Sequence, residues 1–162
     1  MTERPQRKPV RLKEYDYGTP GAYFVTVCTQ DRQCMLSDMI VGEGFAPPLC
    51  RLTDTGRVVE AEILAIPSRY PNAVIEKYVI MPNHIHLIVE IRAEAGGASP
   101  SPTLSDVVRV IKSLSTRKSG LKKLWQRSYH EHVIRGTQDY EEIWTYIDNN
   151  PAKWALDRYY EA

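Results

Sequence analysis

The 162-residue sequence has almost no net charge, few cysteines and no long apolar run, and each shortage excludes a class of protein. Its 21 Lys and Arg stand against 20 Asp and Glu, a formal charge of +1, so no field of one sign surrounds the whole chain. Cys28, Cys34 and Cys50 are odd in number and form no Cys-x-x-Cys pair, which argues against a disulfide framework and a zinc knuckle. The longest apolar runs are far too short to cross a bilayer, and the N-terminus is polar and basic without the apolar core of a signal peptide. A soluble cytoplasmic protein is expected, with no membrane contact. No internal repeat is present. With 43% hydrophobic and 25% charged residues the composition is that of a globular protein, neither disordered nor fibrous, and the length suits a single domain over residues 1–162.

The small total charge conceals two basic segments. Residues 1–13 carry Arg4, Arg7, Lys8, Arg11 and Lys13 against Glu3, a net of +4, and form a basic N-terminal arm. Residues 104–135 carry Arg109, Lys112, Arg117, Lys118, Lys122, Lys123, Arg127 and Arg135 against Asp106 and Glu131, a net of +6. Trp125 and Tyr129 interleave the second segment. Cations that track phosphates and aromatics that stack on bases suit a groove for a nucleic-acid strand. Arg7, Lys8, Arg11, Lys112, Lys118, Lys122, Lys123, Trp125, Arg127, His132 and Arg135 are the expected DNA contacts.

Periodicity and punctuation predict the elements. Residues 22–28 are β-branched and aromatic and read as a strand. Gly42, Gly44, Pro47 and Pro48 mark a loop with at most one short edge strand before Leu52. Thr53 or Asp54 can cap a helix in which Val58, Val59, Ile63 and Ile66 recur near helical spacing up to Pro67. Apolar runs at 74–81 and 84–91 flank Pro82-Asn83, a hairpin signal. Residues 93–103 are rich in Ala, Gly, Ser and Pro and form a flexible loop. Leu104, Val107, Val108, Ile111 and Leu114 recur at helical spacing, a short strand follows near 132–135, and a last helical region runs from about Gln138 beyond Asn150, broken at Pro151. This order predicts an α+β domain, a ferredoxin-like or RRM-like antiparallel sheet with helices packed on one face.

His84-Ile85-His86 lies inside an apolar strand, where alternation turns both imidazoles to one face and Ile85 to the other. Two imidazole nitrogens can then converge on one metal ion. In the last helix, Tyr140, Ile143, Trp144 and Ile147 form the apolar stripe, Tyr146 lies off it, and Asn150 follows one turn later on the side of Tyr146. An off-stripe phenol is available for chemistry, and an amide oxygen beside it can coordinate a hard cation. His130-Glu131-His132 has the same spacing as the first pair, but its basic loop setting and acidic centre favour a structural or DNA-facing role. Tyr129 and Tyr140 are rival nucleophiles.

Three segments together resemble the REP-associated tyrosine transposases: 78–86 around His84-Ile85-His86, 124–135 from Leu124-Trp125 to Arg135, and 146–151 from Tyr146 to Pro151. These are single-tyrosine HUH enzymes, named for His, a hydrophobic residue and His. The resemblance spans residues 10–160 in one motif order. It implies a central HUH strand and a divalent metal ion, Mg²⁺ or Mn²⁺, held by His84, His86 and Asn150, with Asp148 as an alternative third ligand. It implies Tyr146 as a nucleophile that cuts single-stranded DNA beside a hairpin of the repetitive extragenic palindrome type, forms a 5′-phosphotyrosine, and rejoins the strand. It leaves open whether the chain acts as a monomer or a homodimer. The competing readings are a noncatalytic nucleic-acid-binding module of the same fold and a metallohydrolase without a covalent intermediate.

Overall fold

The computed structural model describes residues 21–41, 48–92 and 102–161. The basic arm with Arg7, Lys8 and Arg11, most of the 93–103 loop and the glycines of 42–47 lie outside the described residues. The chain forms β1 (Gly21–Cys28), β2 (Ser37–Ile40), β3 (Leu49–Leu52), α1 (Asp54–Leu64), α2 (Ile66–Arg69), β4 (Ala73–Ile80), β5 (His84–Ile91), α3 (Leu104–Ser119), β6 (His130–Val133) and α4 (Gly136–Asn149), followed by a 3-10 helix over Pro151–Leu156. Among the described residues no helix is long and apolar enough to cross a membrane.

Four strands make an antiparallel sheet in the order β4-β5-β1-β6, and β2 and β3 pair separately. The HUH strand β5 is therefore central, as expected. Its neighbour β1 is in register with it from Gly21↔Ile91 to Cys28↔His84. β6 begins two residues before the expected 132–135 and ends at Val133, ahead of the point where Asp139 accepts the Arg135 N–H at 3.0 Å and α4 opens at Gly136.

One sheet face is closed by aliphatic packing. Tyr23, Val25, Val27, Ile85, Leu87, Val89 and Ile91 pack with Val59 and Ile63 of α1 and Val107, Val108 and Ile111 of α3. Thr53 caps α1 by accepting the Gly56 N–H at 3.1 Å, and Thr103 and Asp106 form a capping box on α3. Gly56 is required by proximity, since a Cβ there would lie 1.9 Å from the Leu36 carbonyl oxygen. Glu62, buried between the helices, is paired with Arg69 at 2.8 Å and with Lys118.

The expectation that helices share one face holds for α1 and α3 but not for α4. Its stripe of Tyr140, Ile143, Trp144 and Ile147 packs on Phe24, Val79 and Ile88, across the opposite face of the sheet. The stripe is the one the helical period predicts, but a period does not say which side of a sheet the helix takes. Lys77 on β4 helps dock α4, its ammonium 4.2 Å from the Trp144 ring centroid and paired with Asp148.

Candidate active site

Strand alternation delivers His84 and His86 to the face that α4 covers, with exposures of 0% and 1% and ring centroids 4.6 Å apart. The turn before them sets the first ring. Asn83 is fully buried and donates from Nδ2 to the Tyr159 carbonyl at 2.6 Å and the Arg32 carbonyl at 3.3 Å. Its Oδ1 therefore faces His84 Nδ1, at 2.8 Å, so that nitrogen carries the proton and Nε2 keeps a lone pair. His86 Nδ1 shares a hydrogen bond of 2.8 Å with Thr26 Oγ1 on the neighbouring strand. Burial pushes His84 down to about 4 against the opposing pull of Asp157, and burial reinforced by His84 and Arg158 holds His86 well below the ordinary histidine value. Both rings are neutral at pH 7, the form that ligates metals.

α4 brings the rest. Tyr146 stands off the apolar stripe and is 43% exposed, its ring 5.4 Å from that of His86 and 6.0 Å from that of Phe24. Burial and the Asp157 carboxylate raise the Tyr146 phenol above its ordinary pKa, while Asn150 and Arg158 lower it in part. Asn150 ends the helix, is 3% exposed, and donates from Nδ2 to Asp157 Oδ2 at 3.1 Å. Asp148, the alternative ligand, is exposed and engaged by Lys77 instead.

Three buried polar atoms at this place have no hydrogen-bond partner among the described residues: His84 Nε2, His86 Nε2 and Asn150 Oδ1. A buried polar atom left unpaired costs about 1–3 kcal/mol, and a cation would satisfy all three together once each imidazole presents its Nε2 lone pair. Asp157 was not expected from the sequence. Its side chain is 1% exposed, its Oδ2 is 3.7 Å from His84 Nε2, and His84, His86 and Asp157 form a group that could hold a metal ion. No local pattern marks it, since the tail around it also holds Lys153, Arg158 and a second carboxylate, Glu161.

A cleft of about 520 Å³ opens onto the site, lined by Phe24, His86, His130, His132, Tyr146 and Arg158 among others. His130 and His132 face Thr26 and Phe24 across the β6 ladder and so share the HUH face, but they do not join the metal group. His132 Nε2 instead pairs with Asp139 Oδ2 at 2.8 Å, tying β6 to the start of α4. Tyr140 stays in the stripe and Tyr129 packs at the margin of the other core.

The basic segment forms a second concavity of about 600 Å³, on the α3 side, lined by Arg109, Lys112, Arg117, Lys122, Lys123 and Arg127 among others. Lys122, Lys123, Arg127 and Arg135 are exposed. Besides His132, two expected contacts are already engaged: Lys112 Nζ donates to the Gln126 and Arg127 carbonyls at 2.7 and 3.1 Å, and Lys118 pairs with Glu62. Trp125 is corrected from a stacking platform to a core residue. It is 4% exposed and its indole N–H donates to Ser115 Oγ at 2.9 Å, so its ring walls the groove without presenting a free face.

No family model matches the chain. It is 33% identical to an uncharacterised protein of Haemophilus influenzae, over 95% of this chain and 93% of that one. It is 35% identical to a REP-associated tyrosine transposase of Escherichia coli K12, over 82% of this chain and 67% of that protein. A solved structure of a REP-associated tyrosine transposase bound to a REP hairpin superposes with a TM-score of 0.61 at 27% identity, covering 94% of this chain and 74% of the other.

Proposed function

The chain belongs to the REP-associated tyrosine transposases, and on that premise we propose that it is a metal-dependent single-stranded DNA endonuclease and strand transferase that works through Tyr146. Its coarse role is that of a DNA-processing transposase. The observation that carries the finer reading is the meeting of three buried polar atoms without hydrogen-bond partners among the described residues, His84 Nε2, His86 Nε2 and Asn150 Oδ1, beside the off-stripe phenol of Tyr146.

His84, His86 and Asn150 would hold Mg²⁺ or Mn²⁺, their donor set leaving further positions open. Bound there, the ion supplies Lewis-acid polarisation of a non-bridging phosphate oxygen. Asn83 and Thr26 fix the two imidazoles from behind. Tyr146 attacks phosphorus through its phenolic oxygen. A phosphorus–oxygen bond to Tyr146 forms, the bond to the 3′ oxygen breaks, the phenol gives up its proton and the departing 3′ oxygen ends as a hydroxyl. A later 3′-hydroxyl reverses the exchange and frees Tyr146, so bond energy is conserved and no nucleotide is consumed. Arg158, which lines the cleft beside Tyr146, opposes the rise in the phenol's pKa that burial and Asp157 cause.

The substrate follows from the relatives and the charge. Single-stranded DNA next to a REP-like hairpin would lie along the groove of Lys122, Lys123 and Arg127, and cross the β6 edge to reach Tyr146. Incubation of the protein with a hairpin-flanked oligonucleotide and Mg²⁺ or Mn²⁺ should give a covalent adduct on a denaturing gel. The adduct should vanish with Tyr146→Phe and with chelator. Cleavage that survives Tyr146→Phe would replace this reading with a metallohydrolase.

A further inference from the structure

We infer that Asp157 is a positioning residue that sets the polarity of the Asn150 amide, and is not itself a ligand. This rests on the reading of His84, His86 and Asn150 as the metal-binding set.

An asparagine end is nearly symmetric in shape, and its two ends differ only in what they offer: a carbonyl oxygen that ligates or an NH₂ that repels a cation. Something must choose. Asp157 Oδ2 carries no hydrogen to donate, so the end of the Asn150 amide bonded to it at 3.1 Å is Nδ2, and Oδ1 is the end left without a hydrogen-bond partner in the site. Asp157 is itself immobilised, because its Oδ1 accepts the N–H of Tyr159 two residues on, at 2.9 Å, and its side chain is almost fully buried. Each carboxylate oxygen thus already accepts one hydrogen bond, and Oδ2 also lies 3.7 Å from His84 Nε2. The atoms left without one among the described residues of the site are the two imidazole nitrogens and Asn150 Oδ1.

The same short segment repeats the device. The Tyr159 carbonyl accepts the Nδ2 of Asn83, which turns Asn83 Oδ1 onto His84 Nδ1 and leaves His84 Nε2 with its lone pair facing the site. Residues 157 and 159 therefore orient one amide each. One amide is a ligand and the other selects the tautomer of a ligand. The 3-10 helix that follows α4 places this segment, with Tyr159 4.6 Å from the His84 ring.

The test is a double-substitution cycle on Mn²⁺ affinity, measured by EPR titration of the full chain without DNA. Asp157→Ala should weaken Mn²⁺ by about 10- to 100-fold, as loss of an outer-shell partner does. Asn150→Ala should weaken it at least as much. Adding Asp157→Ala to Asn150→Ala should then change the affinity by no more than about 2-fold, since the residue acts only through the amide. Asp157→Asn, which can still accept the Asn150 Nδ2 through its carbonyl, should recover most of the loss and guards against misfolding of the alanine variant. Losses that multiply in the double variant would make Asp157 an independent ligand and overturn the proposal. So would unchanged binding in Asp157→Ala. A wild-type chain that binds no Mn²⁺ would overturn the metal reading beneath it as well, which separates the two failures.

Discussion

β5 turns two faces to two different environments. On one, Ile85, Leu87, Val89 and Ile91 are packed beneath α1 and α3 at exposures of 0–1%. On the other, His84 and His86 are just as buried, yet each keeps an Nε2 atom with no partner among the described residues. Burial therefore does not separate scaffold from site along this strand. What separates them is polarity: Ile85, Leu87, Val89 and Ile91 carry no side-chain polar atom that needs a partner, and the histidine face has left two ring nitrogens waiting within the cover of α4.

Substitution on the histidine face should give the largest effect. His86→Ala should remove Mn²⁺ binding and bring adduct formation below detection, while the melting temperature of the chelated protein changes little. A collapse of stability in that variant would mean that the ring is structural. On the other face the signs exchange. Leu87→Ala should cost about 2–5 kcal/mol of stability, read by denaturant melts, yet leave adduct yield near normal at temperatures where the protein stays folded. Loss of chemistry in excess of unfolding would break the distinction between the faces.

Acid should sharpen it. Folded His84 is held to about 4 by burial, while an unfolded histidine titrates near 6.5. Between those values the unfolded chain binds the proton and the folded chain does not, so stability present above 6.5 is lost as pH falls towards 4. His86, lowered in the same direction, should add to the slope. Chelated protein melted across this window should show the loss, and His84→Ala should flatten it; an unchanged slope would assign the acid sensitivity elsewhere. The smallest effect should come from the basic groove. Replacing Lys122, Lys123 and Arg127 by Gln should lower the salt dependence of single-strand binding by about 0.7 for each phosphate that is no longer neutralised, with the rate of adduct formation at saturating DNA unaltered. A slope that stays put would remove those side chains from the path of the strand.

Much of this arrangement is legible in the residues themselves. Strict alternation sends His84 and His86 to one face, and the helical period sets Tyr146 off its stripe with Asn150 one turn on. The cap at Thr53 and the turn at Pro82-Asn83 punctuate the chain where the elements begin and end. Other features leave no local trace. β2 is four residues long and opens with Ser37-Asp38, too short and polar for a periodic signal. The basic neighbours of Trp125 suggest an exposed ring, whereas Ser115, ten residues back, gives its N–H a buried partner. Asp157 lies 73 positions from His84, beyond Pro151 and a 3-10 helix, and long-range contacts bring it home: the packing of Tyr159 on His84 and the hydrogen bonds from Asn83 and Asn150.

Tyr146 and Asn150 share one helix, four residues and about 6 Å of rise apart. On the proposed chemistry this spacing works as a ruler. Whatever becomes bonded to Tyr146 stays at a set height above the two histidines, because α4 cannot move one residue without the other. A cut strand is thus held in storage at the height set by the helix that cut it. Whether the DNA is restored or rerouted is then decided outside the helix, by which 3′ end next enters the cleft.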